Sequence, residues 1–142
     1  MSDGPILGLD VGSRRIGVAI SDFNGLLAAP LTTIKAEPPE RALERIIGLA
    51  REREVNAIVI GLPLTLRGEI GPQAEIVRRF GDTLAAAIDL PLHYFDERLT
   101  SSAAEQMLRD MGMKAEKRRQ QIDQVAASII LQDFLDHRRS RK

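Results

Sequence analysis

A chain of 142 residues, 44% hydrophobic and 28% charged, has the size and makeup of one ordinary globular domain spanning residues 1–142. A formal net charge of +0, aromatics at 4% and no Trp argue against a purely electrostatic nucleic-acid binder with an aromatic stacking surface. The absence of cysteine excludes disulfides and thiol chemistry, and no apolar run nears the roughly 20 residues of a membrane span, so a cytoplasmic protein with no membrane partner is expected.

Ile6 to Leu9 is a short apolar run between Gly4-Pro5 and Gly12-Ser13, as expected of a strand buried on both faces. Ile16 to Ile20 is a second strand. Leu26 to Ile34 is a third, in which Pro30 marks an edge, a bulge or an interruption. The short links between these three favour an antiparallel meander. After Pro38-Pro39, the residues Leu43, Ile46, Ile47 and Ala50 recur at helical spacing. Val55 to Leu62 reads as a buried strand, Thr65 to Pro72 as a loop, and Ile76, Val77, Phe80, Leu84 and Ile88 as the stripe of a second helix. Leu92 to Phe95 is a fifth strand. Ser101 or Ser102 caps a helix running to about Met111, and a last helix runs from about Gln120 to His137. Strand–helix–strand order in the second half implies parallel pairing there, so the sheet is mixed.

Three acids stand in unusual places. Asp10 closes the first apolar run, where an ionised carboxylate is costly to bury without a compensating partner; equally, Asp is a common opener of turns. Glu97 follows the last strand in Asp96-Glu97-Arg98, at the kind of strand end where binding groups gather; an exposed loop charge paired with Arg98 would also fit. On a helical wheel Asp123 lies between Ile130 and Phe134, with Ala126 and Ala127 on its side and Gln124, Ser128 and Gln132 on the other. It therefore projects from the buried stripe near the expected first turn, where an acid would also meet the helix dipole favourably. Clustered carboxylates from separate elements suit hard divalent cations, which take oxygen ligands and serve in-line phosphoryl displacement. Two basic clusters complete the inventory: Lys114, Lys117, Arg118 and Arg119, and a tail of Arg138, Arg139, Arg141 and Lys142 expected to be solvated.

Four segments carry a resemblance: Leu9-Asp10-Val11-Gly12-Ser13-Arg14-Arg15-Ile16-Gly17-Val18-Ala19, Gly61-Leu62-Pro63-Leu64, Asp96-Glu97-Arg98-Leu99-Thr100-Ser101 and Ile122-Asp123-Gln124-Val125-Ala126-Ala127. In this order and at these separations the chain resembles the YqgF family of RNase H-like nucleases, relatives of Holliday-junction resolvases. The resemblance implies an RNase H-like α/β fold, with a five-stranded mixed sheet of three antiparallel strands then parallel strands and helices on both faces. It also implies a metal-dependent nuclease that hydrolyses phosphodiester bonds with Mg²⁺ or Mn²⁺. Asp10, Glu97 and Asp123 fall on the family's acidic catalytic and metal-holding positions. The family's usual role is maturation of the 5′ end of pre-16S rRNA in ribosome biogenesis; branched DNA is the alternative substrate, and a non-catalytic nucleic-acid-binding assembly factor is a third reading. A monomer and a homodimer both remain open.

Ser13, Arg14, Arg15, Arg67, Lys117 and Arg118 are candidate substrate contacts through phosphate, although a solvated turn explains the two arginines beside Asp10 equally well. Where the family often carries Asn-Met-Asp-Gly after its Gly-Leu-Pro-Leu segment, this chain has Thr65-Leu66-Arg67-Gly68, which changes two polar side chains, one of them into a cation. The first motif, Asp10-x-Gly12-Ser13 with Gly17, also resembles the phosphate turn of actin-like ATPases and sugar kinases. Those proteins clamp nucleotide between two such domains, and this chain has length for one.

Overall fold

Alternation along the first strand sets the two layers of the molecule. The computed structural model describes residues 4–96 and 115–140, with backbone only for 115–120 and 140, and everything below refers to these residues. The elements are β1 (Ile6–Val11), β2 (Arg15–Ser21), β3 (Ala28–Lys35), α1 (Pro39–Glu52), β4 (Ala57–Leu62), α2 (Pro72–Ala87), β5 (Leu92–Asp96) and a long helix, α3 (Ala115–Ser140). The sheet order is β3-β2-β1-β4-β5. β1 pairs antiparallel with β2 and parallel with β4, β2 antiparallel with β3, and β4 parallel with β5. The carboxyl ends of β1, β3, β4 and β5 therefore share one edge of the sheet with the start of β2. This is the expected mixed five-stranded sheet.

Leu7 and Leu9 point to one side, where Ile16, Val18, Ile58 and Ile60 join Ala42, Ile46 and Ala50 of α1 and Val77 and Leu84 of α2 in the larger core. Ile6 and Gly8 point to the other, where Ala19, Ala57 and Val59 meet Ala127, Ile130, Leu131 and Leu135 of α3. Leu131 and Leu135 are fully buried, each contributing about 1.5–3 kcal/mol relative to an exposed position.

Several boundaries differ from the sequence expectation, each for a physical reason. β1 continues through Asp10 to Val11, so the acid is a paired strand residue and not the opener of the turn; Gly12 closes the β1–β2 turn by donating to the Arg15 carbonyl at 2.9 Å. β3 starts at Ala28 because Asp22 holds the preceding turn, accepting from Leu26 N–H at 2.7 Å and Leu27 N–H at 3.1 Å. Those donors, Leu27 first and then Leu26, keep its carboxyl below the usual carboxylate range. Pro30 sits on an edge strand beside a bulge, opposite Ala19, where the β2–β3 register shifts. In α2 the buried line is Ala74, Val77, Gly81 and Leu84, which leaves Ile76 58% exposed despite its place in the expected stripe. The Tyr94 phenol O–H, shared between the Arg78 carbonyl at 3.0 Å and the Asp82 carboxylate at 2.9 Å, pins α2 to β5; burial first, then Asp82, pushes its pKa up to about 12. Among the described residues, no helix is long and apolar enough to cross a membrane.

The last helix begins five residues earlier than expected, at Ala115. Residues 115–120 are strong helix formers without an apolar stripe, so hydrophobic periodicity starts late while helical propensity does not. Asp123 is thus more than two turns inside the helix, beyond the reach of a first-turn dipole effect. The tail is also different: Arg139 donates to the carbonyls of Gly25 at 3.1 Å and Leu26 at 3.3 Å, and Arg138 stacks over Phe134 at 5.7 Å, so neither is solvated in the manner expected. Gln132 bridges the same hairpin, accepting from Ala28 N–H at 2.8 Å and donating to the Leu26 carbonyl at 3.0 Å.

At its other end α3 lies directly on bare backbone. A Cβ on Gly8 would fall 2.8 Å from Leu131 Cβ, and one on Gly17 would fall 1.8 Å from the Asp123 carbonyl oxygen. Backbone cannot swing aside as a flexible side chain can. We expect Gly17→Ala to lower stability by about 1–3 kcal/mol or more through overpacking. Gly48→Ala, in the interior of α1 with nothing within 4 Å of the new Cβ, should raise it by about 0.5–1 kcal/mol. Paired urea denaturation curves check both; equal effects would rule out close helix seating as the cause.

Candidate active site

Asp10 and Asp123 come together through Gly17. Asp10 is the register partner of Gly17 across the β1–β2 pair, about 4.5–5.5 Å between Cα atoms in such ladders, and shares its face of the sheet. The backbone of Asp123 rests on Gly17. Two acidic residues more than a hundred positions apart therefore meet around one glycine near the carboxyl end of β1, Asp10 as its ladder partner and Asp123 with its backbone upon it. The Asp123 side chain is only 21% exposed and accepts a hydrogen bond from Arg15 Nε at 2.7 Å. Arg15 is the first residue of β2, two before Gly17, and so stands on the same face.

The remaining candidates divide plainly. Arg15 is a partner of Asp123, which replaces the solvated-turn reading for this residue. Ser13 and Arg14 are exposed in the β1–β2 turn beside it. Arg67 lies at the exposed apex of the β4–α2 loop, which Thr65 closes by accepting from Gly68 N–H at 2.8 Å and, through its hydroxyl, from Glu69 N–H at 3.1 Å. That loop leaves the carboxyl end of β4, the strand beside β1. Lys117 and Arg118 fall on the opening turns of α3, before the expected helix start at about Gln120. Glu97 and the expected helix to Met111 lie outside the described residues, as do the side chains of Lys117 and Arg118.

Among the described residues, no group of three His, Cys, Asp or Glu stands together as a metal cage. What they contain is a pair of hard oxygen donors with one guanidinium. Beside the pair, a groove of about 420 Å³ opens between α3 and β3, lined by Arg15, Lys35, Thr32, Thr33 and Gln124 among others. Lys35 and Gln124 were not picked out from the sequence as site residues. The only signal for Gln124 was its adjacency to Asp123, and for Lys35 there was none in one dimension. His93 packs its ring against Phe134 at 5.5 Å.

Comparison with known proteins identifies the family. Residues 4–137 match the family described as RuvX, Holliday junction resolvase. A protein of Chloroflexus aurantiacus is 66% identical over 140 residues, covering 99% of this chain and 92% of that one, and one of Chloroflexus aggregans is 64% identical, covering 99% of both. Each is named as a candidate pre-16S rRNA nuclease. Among solved structures, T. thermophilus RuvC in complex with a Holliday junction substrate superposes with a TM-score of 0.60 at 18% identity, covering 96% of each chain, a likeness of fold.

The Arg15–Asp123 pair is half-exposed on the arginine side, so its effect on stability should be modest. A double-mutant cycle of Arg15→Gln and Asp123→Asn, followed by denaturation, should return a coupling of about 0.2–1 kcal/mol that shrinks as salt is added. A coupling indistinguishable from zero at low salt would mean that the pair does not persist in solution.

Proposed function

This chain belongs to the family described as RuvX, Holliday junction resolvase, and we propose on that footing that it is a nuclease hydrolysing phosphodiester bonds, with Asp10, Glu97 and Asp123 as its acidic catalytic residues. The observation that carries the reading is the seating of Asp123 on Gly17, opposite Asp10, at the carboxyl end of the central strand. The names of the relatives support pre-16S rRNA as substrate; processing at its 5′ end, in the cytoplasm, is part of the proposal. The family description supports branched DNA as the second substrate.

The donor set fits Mg²⁺ or Mn²⁺. Carboxylate oxygens are the ligands such hard ions take, and Asp10 and Asp123 bring them to one face of the sheet from separate elements. Asp10, Asp123 and Glu97 would hold the ions, which when bound neutralise phosphodiester charge and make an attacking water more acidic. The protein's own residues do the positioning. Arg15 fixes Asp123 through Nε and has further N–H donors in the same plane for a phosphate oxygen. The glycine seat sets the height of Asp123 over the sheet, and the ladder to β2 sets Asp10. Ser13 and Arg14 stand at the rim, where a phosphate would pass on its way in.

The test is cleavage of single-stranded RNA, precursor 16S rRNA and a four-way DNA junction by the wild type, Asp10→Asn, Glu97→Gln and Asp123→Asn. We expect cleavage with Mg²⁺ or Mn²⁺, none with chelator, and a loss of at least about 100-fold in each variant, since even the outer-shell partners of a metal site cost 10–100-fold. Precursor rRNA should be the best of the three substrates. Undiminished cleavage by all three variants would refute the assignment.

Arg67 is expected to touch phosphate. Arg67→Ala should weaken RNA binding and lower the slope of log affinity against log salt by about 0.7 for a single strand. An unchanged slope on both RNA and junction DNA would refute that contact.

A further inference from the structure

The groove between α3 and the edge strand β3 is unlike an ordinary surface furrow in its charge. Arg15 and Lys35 are register partners, side by side on adjacent strands and on the same face of the sheet. Like charges in that relation are destabilising, and sheets ordinarily avoid them. Arg15 is turned toward Asp123, but among the described residues no acidic side chain pairs with Lys35. The rest of the polar lining is neutral: the hydroxyls of Thr32 and Thr33 and the amide of Gln124. No carboxylate lines the groove among the described residues. At the opposite end of the sheet, a second groove mixes its signs, with Arg51, Glu54 and Asp89.

Position adds to charge. Gln124 directly follows Asp123, and Arg15 belongs to both the groove and the carboxylate pair, so the two are continuous. The bulge in the β2–β3 ladder falls in the wall of the groove, where it redirects the edge strand around Leu31 and Thr32. At about 420 Å³ the groove lies near the small end of ligand sites, roughly 300–1,000 Å³.

We propose that this groove is a binding track for a single phosphodiester strand leading away from the carboxylates, with Arg15 at its inner end and Lys35 holding a phosphate at its outer end. The inference rests on the nuclease reading above and names where the strand beside the scissile bond lies. Asp123 already takes up part of the Arg15 charge, so Lys35 is the cation that the ligand chiefly relieves, while hydroxyls and an amide accommodate sugar and phosphate without selecting a base. RNA and DNA share this chemistry, so both strands should engage the track.

The experiment measures binding with chelator present, so that nothing is cut. Fluorescence anisotropy follows a labelled single-stranded RNA, the DNA of the same sequence and the corresponding duplex across a potassium chloride series. Lys35→Gln should weaken single-strand binding about 5-fold at low salt and reduce the slope of log affinity against log salt by about 0.7, the value for one lost phosphate contact. Arg51→Gln, at the far end of the sheet, should leave both quantities unchanged, and melting temperatures should match the wild type. Retention of affinity and slope in Lys35→Gln overturns the track, as does an equal loss in Arg51→Gln or an effect confined to the duplex. If Lys35→Gln is silent while metal-dependent cleavage still depends on Asp10, the track alone fails. If the wild type neither binds nor cuts nucleic acid, the nuclease reading fails with it.

Discussion

The closeness of one helix to one sheet governs the rest of this molecule. α3 crosses the sheet with its backbone lying on Gly17 and its side chains on Gly8, and no other residue type would let it sit at that height. The small residues Ala19, Ala57 and Ala127 continue the same close packing along the crossing. The opposite face is built differently, from Leu, Ile and Val under two helices, and carries the larger core. Stability is therefore concentrated on one face, while the other trades bulk for proximity and lowers a carboxylate to the level of the strand ends.

A helix this near a sheet must also be fixed along its length, or the carboxylate would shift with it. Arg15 holds it at Asp123, and Gln132 and Arg139 tie its later turns to the β2–β3 hairpin through backbone donors and carbonyls. That hairpin is in turn held in shape by Asp22. The anchors straddle the apolar seam of Ala127, Ile130, Leu131 and Leu135. Individually such polar contacts are weak at a surface; placed on both sides of a buried seam they set the register of the helix and not merely its attachment.

Much of this was legible in the amino-acid sequence, where a local pattern had only one physical solution. The strand runs of β1, β2 and β4 are apolar on both faces, and they lie at the centre of the sheet. Asp123 was visible as an acid in an apolar stripe because the wheel needs only neighbours three and four residues away. What escaped was of two kinds. The start of α3 carries propensity without periodicity, so the helix was read as starting at about Gln120 and Asp123 was set too near its beginning. The partnership of Arg15 with Lys35 depends on a ladder interrupted by a bulge, and register across such an irregularity is written in three dimensions alone. The roles of Arg138 and Arg139 were misjudged for a related reason: a basic terminus resembles a solvated tail until its hairpin partner is in place.

The charge reading shows most clearly how composition can mislead. A net charge of +0 predicts no affinity for a polyanion, since the far field of the protein is weak. Binding at a surface responds to the local field, within a screening length of about 8–10 Å. On that scale the molecule is not neutral. Arg15 and Lys35 sit together at one end of the sheet, Ser13 and Arg14 beside them in the turn, and the loop bearing Arg67 leaves the same end, whereas the far end mixes Arg51 with Glu54 and Asp89. Acidic side chains are not absent from the cationic end; they are gathered at its centre, with Arg15 between them and the groove. Cations set around acidic residues give the rim of this end a local field that differs from the field of the whole. It is this segregation over a few ångströms, and not the sum over 142 residues, that determines what the surface can hold.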